Sequence, residues 1–106
     1  MNRHKFKAKQ TIRDGIKFPS KLEALHYDYY KLLEKSGDVL FFLRQTPFHL
    51  PGGVTYRVDY QIFWSDGNVQ FVDAKGIETQ AFIDKKKMVE SLYPVEICVS
   101  KKAGSV

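Results

Sequence analysis

Cysteine is almost missing from this chain. The one present, Cys98, has no partner for an internal disulfide, and it lies in the apolar run Val95-Glu96-Ile97-Cys98-Val99, which suits a buried, inert thiol. No apolar run approaches the roughly 18 residues of a membrane span, and the basic N-terminus lacks the apolar stretch of a signal peptide, so the chain reads as intracellular with no membrane partner. His4 and His49 have no ligand spacing with each other or with Cys98, which argues against a structural zinc. Gly52-Gly53 is too short to cradle a phosphate, and no internal repeat or low-complexity tract is visible. What remains is one domain's worth of chain, 106 residues, of which 43% are hydrophobic and 14% aromatic, enough for a single modest core.

The charge is uneven. Residues 1–21 carry seven basic side chains (Arg3, Lys5, Lys7, Lys9, Arg13, Lys17 and Lys21) against Asp14 alone, and the rest of the chain is nearly neutral. A basic arm over 1–19 suits a polyanion, with Arg3, Lys5, Lys7, Lys9 and Arg13 as candidate phosphate contacts; a solvated solubility tail is the plainer reading, and both stand at this point. The folded domain is expected over 20–106.

Asp14-Gly15 and Pro19 leave room in the arm for one short strand around Thr11 to Phe18. Ser20 then predicts a helix N-cap, with Glu23 three residues later as in a capping box and Leu22, Leu25, Tyr29, Leu32 and Leu33 along one stripe. Gly37 closes that helix. Two β-type runs, Val39 to Leu43 and Thr46 to Leu50, are split by Pro47 and followed by the turn Pro51-Gly52-Gly53. Tyr56 to Trp64 alternates as a strand, Val69 to Lys75 returns as its partner, and 79–92 predicts a helix with Ala81, Phe82, Met88 and Leu92 inward and Lys85, Lys86 and Lys87 clustered along it. Val95 to Ser100 is the last strand. Helix, three strands, helix, strand is an α/β layout with a mixed central sheet.

Inside the hairpin stand two acids and a lysine, where strands prefer uncharged residues. A two-residue loop would pair 59 with 74 and put Asp59 and Asp73 on opposite faces. A three-residue loop, Ser65-Asp66-Gly67 with Gly67 left-handed, pairs 64 with 68 and 59 with 73. Two carboxylates placed directly opposite repel unless a divalent cation bridges them. Two carboxylates on a hard cation with an ammonium beside them can activate water against a phosphodiester, and magnesium fits all-oxygen ligands. Cross-strand ion pairs of Asp59 and Asp73 with Arg57 and Lys75 on a wet sheet face are the alternative. His26 reads as a surface histidine or, less often, a proton shuttle.

The run Tyr56-Arg57-Val58-Asp59-Tyr60, followed by Phe71-Val72-Asp73-Ala74-Lys75-Gly76, resembles the PD-(D/E)XK nuclease signature, with Val58 where that signature has proline. Phe18-Pro19-Ser20-Lys21-Leu22-Glu23 and the basic helix after Lys75-Gly76 are similar to the phage junction-resolving endonuclease I family and to short phage-encoded domains, over about Phe18 to Lys101. Asp73 stands where that family has glutamate, and the 59–73 separation is longer than in that family.

The resemblance implies a single restriction-endonuclease-like domain and a magnesium-dependent DNA endonuclease, with manganese able to substitute. By position it implies that Asp59, Asp73 and Glu23 ligate the metal, that Lys75 assists the attack, and that Glu34 matches a second helical glutamate. It further implies branched or Holliday-junction DNA as substrate, in DNA recombination, and a homodimer. Lys85, Lys86 and Lys87 join the arm as expected DNA contacts. The rivals are a nuclease for ordinary duplex or single-stranded DNA, a nuclease fold that binds nucleic acid or a host protein without cutting, and a basic RNA-binding module, although no tract resembles an RNP or KH signature.

Overall fold

A computed structural model describes residues 10–105. Strands β1 (Thr11–Arg13) and β2 (Ile16–Phe18) form a small antiparallel hairpin, and helix α1 (Lys21–Ser36) follows. Strands β3 (Val39–Leu50), β4 (Val54–Trp64) and β5 (Val69–Ala74), helix α2 (Gln80–Leu92) and strand β6 (Ile97–Ser100) complete the domain. The four long-range strands make one sheet in the order β3-β4-β5-β6, antiparallel except for the parallel β5–β6 pair. The helix–three strands–helix–strand order and the mixed sheet agree with the sequence reading. The described residues thus form a small α/β domain of two α-helices, a four-stranded mixed sheet and a two-stranded one.

The expected short strand is a hairpin, because Asp14 and Gly15 both take left-handed backbone angles and turn the chain back. Phe18 is then buried to 1% exposure beneath α1, so the arm from residue 10 onward is folded onto the domain. Pro47 does not split its run. Proline lacks the N–H of a ladder bond and is confined to edge strands, and β3 is an edge of the sheet.

Helix α1 presents a different face from the leucine stripe. Leu25 and Leu32 are exposed, whereas Ala24, Tyr27 and Tyr30 are buried together with Glu23 and His26. The aromatic residues win because Phe18, Tyr27, Tyr30, Phe42 and Tyr60 pack as one group. Their polar tips also find partners: the Tyr60 hydroxyl donates to the Glu23 carbonyl (2.6 Å) and Tyr27 to Asp14 (2.7 Å). His26 is fully buried rather than on the surface, held between the Leu22 carbonyl and the Ser100 hydroxyl. In α2 the inward residues are Phe82 and Val89; Ala81, Met88 and Leu92 face out, contrary to the periodicity reading. Glu90 takes part of the inner face instead, accepting from Lys86 and from the Ile97 N–H.

Two apolar clusters result. Tyr60, Ile62 and Val72 join the α1 cluster, while Tyr56, Val58, Phe82, Val89 and Ile97 form the other. Along β4 the same-parity residues therefore change cluster between Val58 and Tyr60. At the far end of β4, Trp64 donates from its indole Nε1 to Gln70 Oε1.

Candidate active site

The hairpin takes the three-residue loop. Gly67 has φ 94°, its N–H donates to the Trp64 carbonyl, and the Trp64 N–H donates to the Asn68 carbonyl. Pairing then runs from Phe63 opposite Val69 to Tyr60 opposite Val72. One step further, the register sets Asp59 opposite Asp73. There the backbone ladder gives way to side chains: the Asp59 N–H donates to Asp73 Oδ1 and the Ala74 N–H to Asp59 Oδ2, each at 2.9 Å. Tyr56 donates its hydroxyl to Asp73 Oδ2.

Glu23 reaches the same place from α1. Ser20 caps the helix by accepting the Glu23 N–H at 3.1 Å, which fixes Glu23 in the first turn. The reciprocal half of a capping box is not among the described hydrogen bonds. Instead Glu23 Oε2 accepts from Arg44 (3.0 Å) and from Gln45 (3.2 Å). Gln45 Nε2 also donates to Asp59 Oδ1 at 3.3 Å, so one amide bridges two carboxylates.

Arg44 and Gln45 come from β3, and neither gave a signal in the sequence. Arg44 pairs opposite Tyr60 and Thr46 opposite Val58, leaving Gln45 across from Asp59. Gln45 has φ 56°, a left-handed angle that costs a non-glycine residue about 1 kcal/mol in the middle of a strand. The Arg44 guanidinium lies 4.3 Å over the Phe18 ring, and its Nε is buried with no hydrogen-bond partner among the described residues.

Burial sets the electrostatics. Glu23, Asp59 and Asp73 are 4%, 8% and 1% exposed. Loss of water raises all three carboxyl pKa values above the ordinary range, Asp73 to about 6. The Asp59 charge raises Glu23 and Asp73 further. Arg44 opposes the shift at Glu23, and the Ala74 N–H and Lys75 oppose it at Asp59. Burial and the bond to Asp73 push the Tyr56 hydroxyl far upward.

Lys75 sits one residue past β5, where its N–H still donates to the Ser100 carbonyl. Its Nζ lies 5.3 Å over the Phe82 ring, and it makes none of the ion pairs within 4.0 Å among the described residues. Nor do Arg57, Asp59 or Asp73, so the cross-strand ion pairs on a wet face are not formed. Lys75 lines two adjoining depressions. One, of about 470 Å³, is walled by Ser20, Glu23, Asp59, Gly76 and Ile77; the other by Arg57, Thr79, Phe82 and Lys85. Three cations thus border the second groove, beside the N-terminus of α2.

The structure therefore brings Glu23, Asp59 and Lys75 to one cleft, with Asp73 buried against Asp59 and Tyr56. Glu34 is remote, paired with Lys31 at the other end of α1. Arg13 is held by Asp28 in two contacts of 2.9 and 3.0 Å. Lys86 pairs with Glu90, whereas Lys85 and Lys87 are exposed. Arg3, Lys5, Lys7 and Lys9 lie outside the described residues.

Among the described residues no group of three His, Cys, Asp or Glu side chains is arranged to hold a metal ion. The donor chemistry at the cleft nevertheless suits a hard cation: Glu23 and Asp59 are carboxylates converging on one point, and Glu23 Oε1 accepts none of the described hydrogen bonds. Among the described residues no helix is long and apolar enough to cross a membrane.

The family model described as "Protein of unknown function (DUF1064)" matches residues 3–103, and the chain belongs to that family. Searches of curated proteins and of solved structures found no match.

Proposed function

We propose that this member of the family is a metal-dependent DNA endonuclease with a restriction-endonuclease-like fold. The observation that carries the reading is the convergence of Glu23 from α1 and Asp59 from β4 on the Gln45 amide, with Asp73 locked to Asp59 and Lys75 in the same cleft. A fold that served only structure would have little reason to bury two hairpin acids and a helical one at one point.

Glu23 and Asp59 face the cleft and would hold the ion. Asp73 would join them with the lone pairs that the Asp59 N–H and the Tyr56 hydroxyl leave unused. Magnesium, or manganese in its place, would when bound lower the pKa of a water and offset charge on the phosphoryl oxygens. Lys75, in the same cleft, would orient the attacking water or stabilise negative charge developing at the phosphate. The groove of Arg57, Lys75 and Lys85 leads away from the cleft and suits a phosphodiester backbone. Branched DNA as substrate and a homodimer as the working form rest on the sequence resemblance.

The test is incubation of four-way junction, duplex and single-stranded DNA with the full chain in magnesium, manganese or EDTA. Metal-dependent cleavage, strongest on the junction, is the expected result. Binding without cutting of any of the three would replace this reading with a nucleic-acid-binding module.

A further inference from the structure

The cleft is lined by two carboxylates, Glu23 and Asp59, while Asp73 lies behind them with each of its oxygens already accepting one bond, from the Asp59 N–H and the Tyr56 hydroxyl. A divalent ion completes its shell with further oxygens, from water or from a side chain. Gln45 touches both carboxylates and can supply one, and its placement is otherwise hard to explain. It holds a left-handed backbone angle inside a strand, and its reward is a pair of long hydrogen bonds, 3.2 Å to Glu23 Oε2 and 3.3 Å to Asp59 Oδ1.

Those two lengths carry the argument. Ligand oxygens about 2.1 Å from a magnesium ion in octahedral array stand about 3.0 Å apart along each edge. Rotation of the Gln45 amide by half a turn would put Oε1 where Nε2 now lies, at nearly the edge length from both carboxylate oxygens. Without an ion, the donating nitrogen belongs on that side, since it neutralises two facing acceptors; with an ion, the oxygen does. The amide offers both faces from one position.

We infer that Gln45 is a ligand of the catalytic cation, its side-chain amide turning from donor between Glu23 and Asp59 in the metal-free protein to an oxygen ligand beside them when the ion binds. This rests on the metal-dependent nuclease reading and extends it to a residue outside the strand pair. Arg44, the neighbour of Gln45, keeps Glu23 in place in both states through the second bond to Oε2.

Manganese binding to the full chain, measured by calorimetry without DNA, tests it. Gln45→Met has nearly the same shape and no oxygen, and should weaken manganese at least tenfold. Binding by Gln45→Met as tight as wild type, or tighter because a competing donor is gone, would overturn the inference and leave the nuclease reading standing. A wild-type chain that binds no manganese removes the reading and the inference together. Nitrogen-15 spectra of the wild-type chain give an answer that needs no folded variant. The Gln45 side-chain NH2 signals should move and exchange freely with solvent as magnesium saturates the site, and signals that stay fixed and protected at saturation would equally overturn the proposal.

Discussion

Asp59 and Asp73 are joined through the backbone as well as through their charges: the Asp59 N–H donates to the Asp73 carboxylate at 2.9 Å, at the point where β4 stops pairing with β5. Asp73 therefore has two tasks, to shape the Asp59 backbone and to add negative charge. Substitution can separate them.

Asp73→Asn keeps an oxygen for the Asp59 N–H and presents an NH2 that the Tyr56 oxygen can accept. At pH 4, where Asp73 is largely protonated in the metal-free fold, stability should change by no more than about 2 kcal/mol, since the buried hydrogen bond to the Asp59 N–H is kept. Cleavage should fall at least about a hundredfold through lost charge at the ion. Urea unfolding and a junction-cleavage assay, run side by side, check the pair of outcomes.

The pH dependence of the metal-free fold has a defined sign. The Asp73 pKa is raised from 3.8 to about 6, so the folded state favours the protonated acid. Its contribution is complete below about pH 3.8 and is lost as the pH rises through about 6, a change of about 3 kcal/mol. The raised Glu23 and Asp59 act in the same direction. In EDTA, wild type should lose stability relative to Asp73→Asn between pH 4 and 7, and magnesium should restore much of it. Denaturant midpoints at the two pH values decide the matter.

Glu23→Gln leaves the helix cap intact, because Ser20 accepts the backbone N–H and not the side chain. The loss falls on Arg44, whose guanidinium is only partly exposed and would face a neutral amide. A double-mutant cycle of Glu23→Gln with Arg44→Met should give a coupling of about 1–3 kcal/mol. Cleavage should collapse in Glu23→Gln; coupling near zero would show that the ion pair contributes nothing.

Arg57→Ala with Lys85→Ala removes two cations from the groove. If each meets a phosphate, the slope of log K against log salt for duplex DNA should flatten by about 1.8, with the metal site untouched. An unchanged slope would place the DNA elsewhere.

The site was legible where local rules sufficed. Ser65-Asp66-Gly67 marks the turn and leaves two loop lengths open; the three-residue one that the fold takes puts Asp59 across from Asp73. Ser20 encodes the cap that fixes Glu23. Gln45 and Arg44 were not legible, because a left-handed glutamine inside a strand has no local signature; it is held by Glu23 and Asp59, 22 and 14 residues away. The inner face of α1 was misread for the same reason. His26 and Glu23 are polar, and only partners far along the chain, such as Ser100, make their burial tolerable. In α2 Met88 and Leu92 are exposed because the face that meets the sheet end is the one carrying Phe82 and Val89, with Ile83 packed beside them.

Trp64 is the sole tryptophan, and it stands five residues along β4 from Asp59, about 17 Å away on an extended strand. Its indole is tied to Gln70 beside the hairpin loop, half-buried at the end of the sheet opposite the cleft. The chain thus carries a built-in fluorophore whose emission follows the packing of β4 and β5 and stays nearly blind to occupancy of the acids. Unfolding can be read optically in the same cuvette in which metal is titrated, with little cross-talk between the two signals.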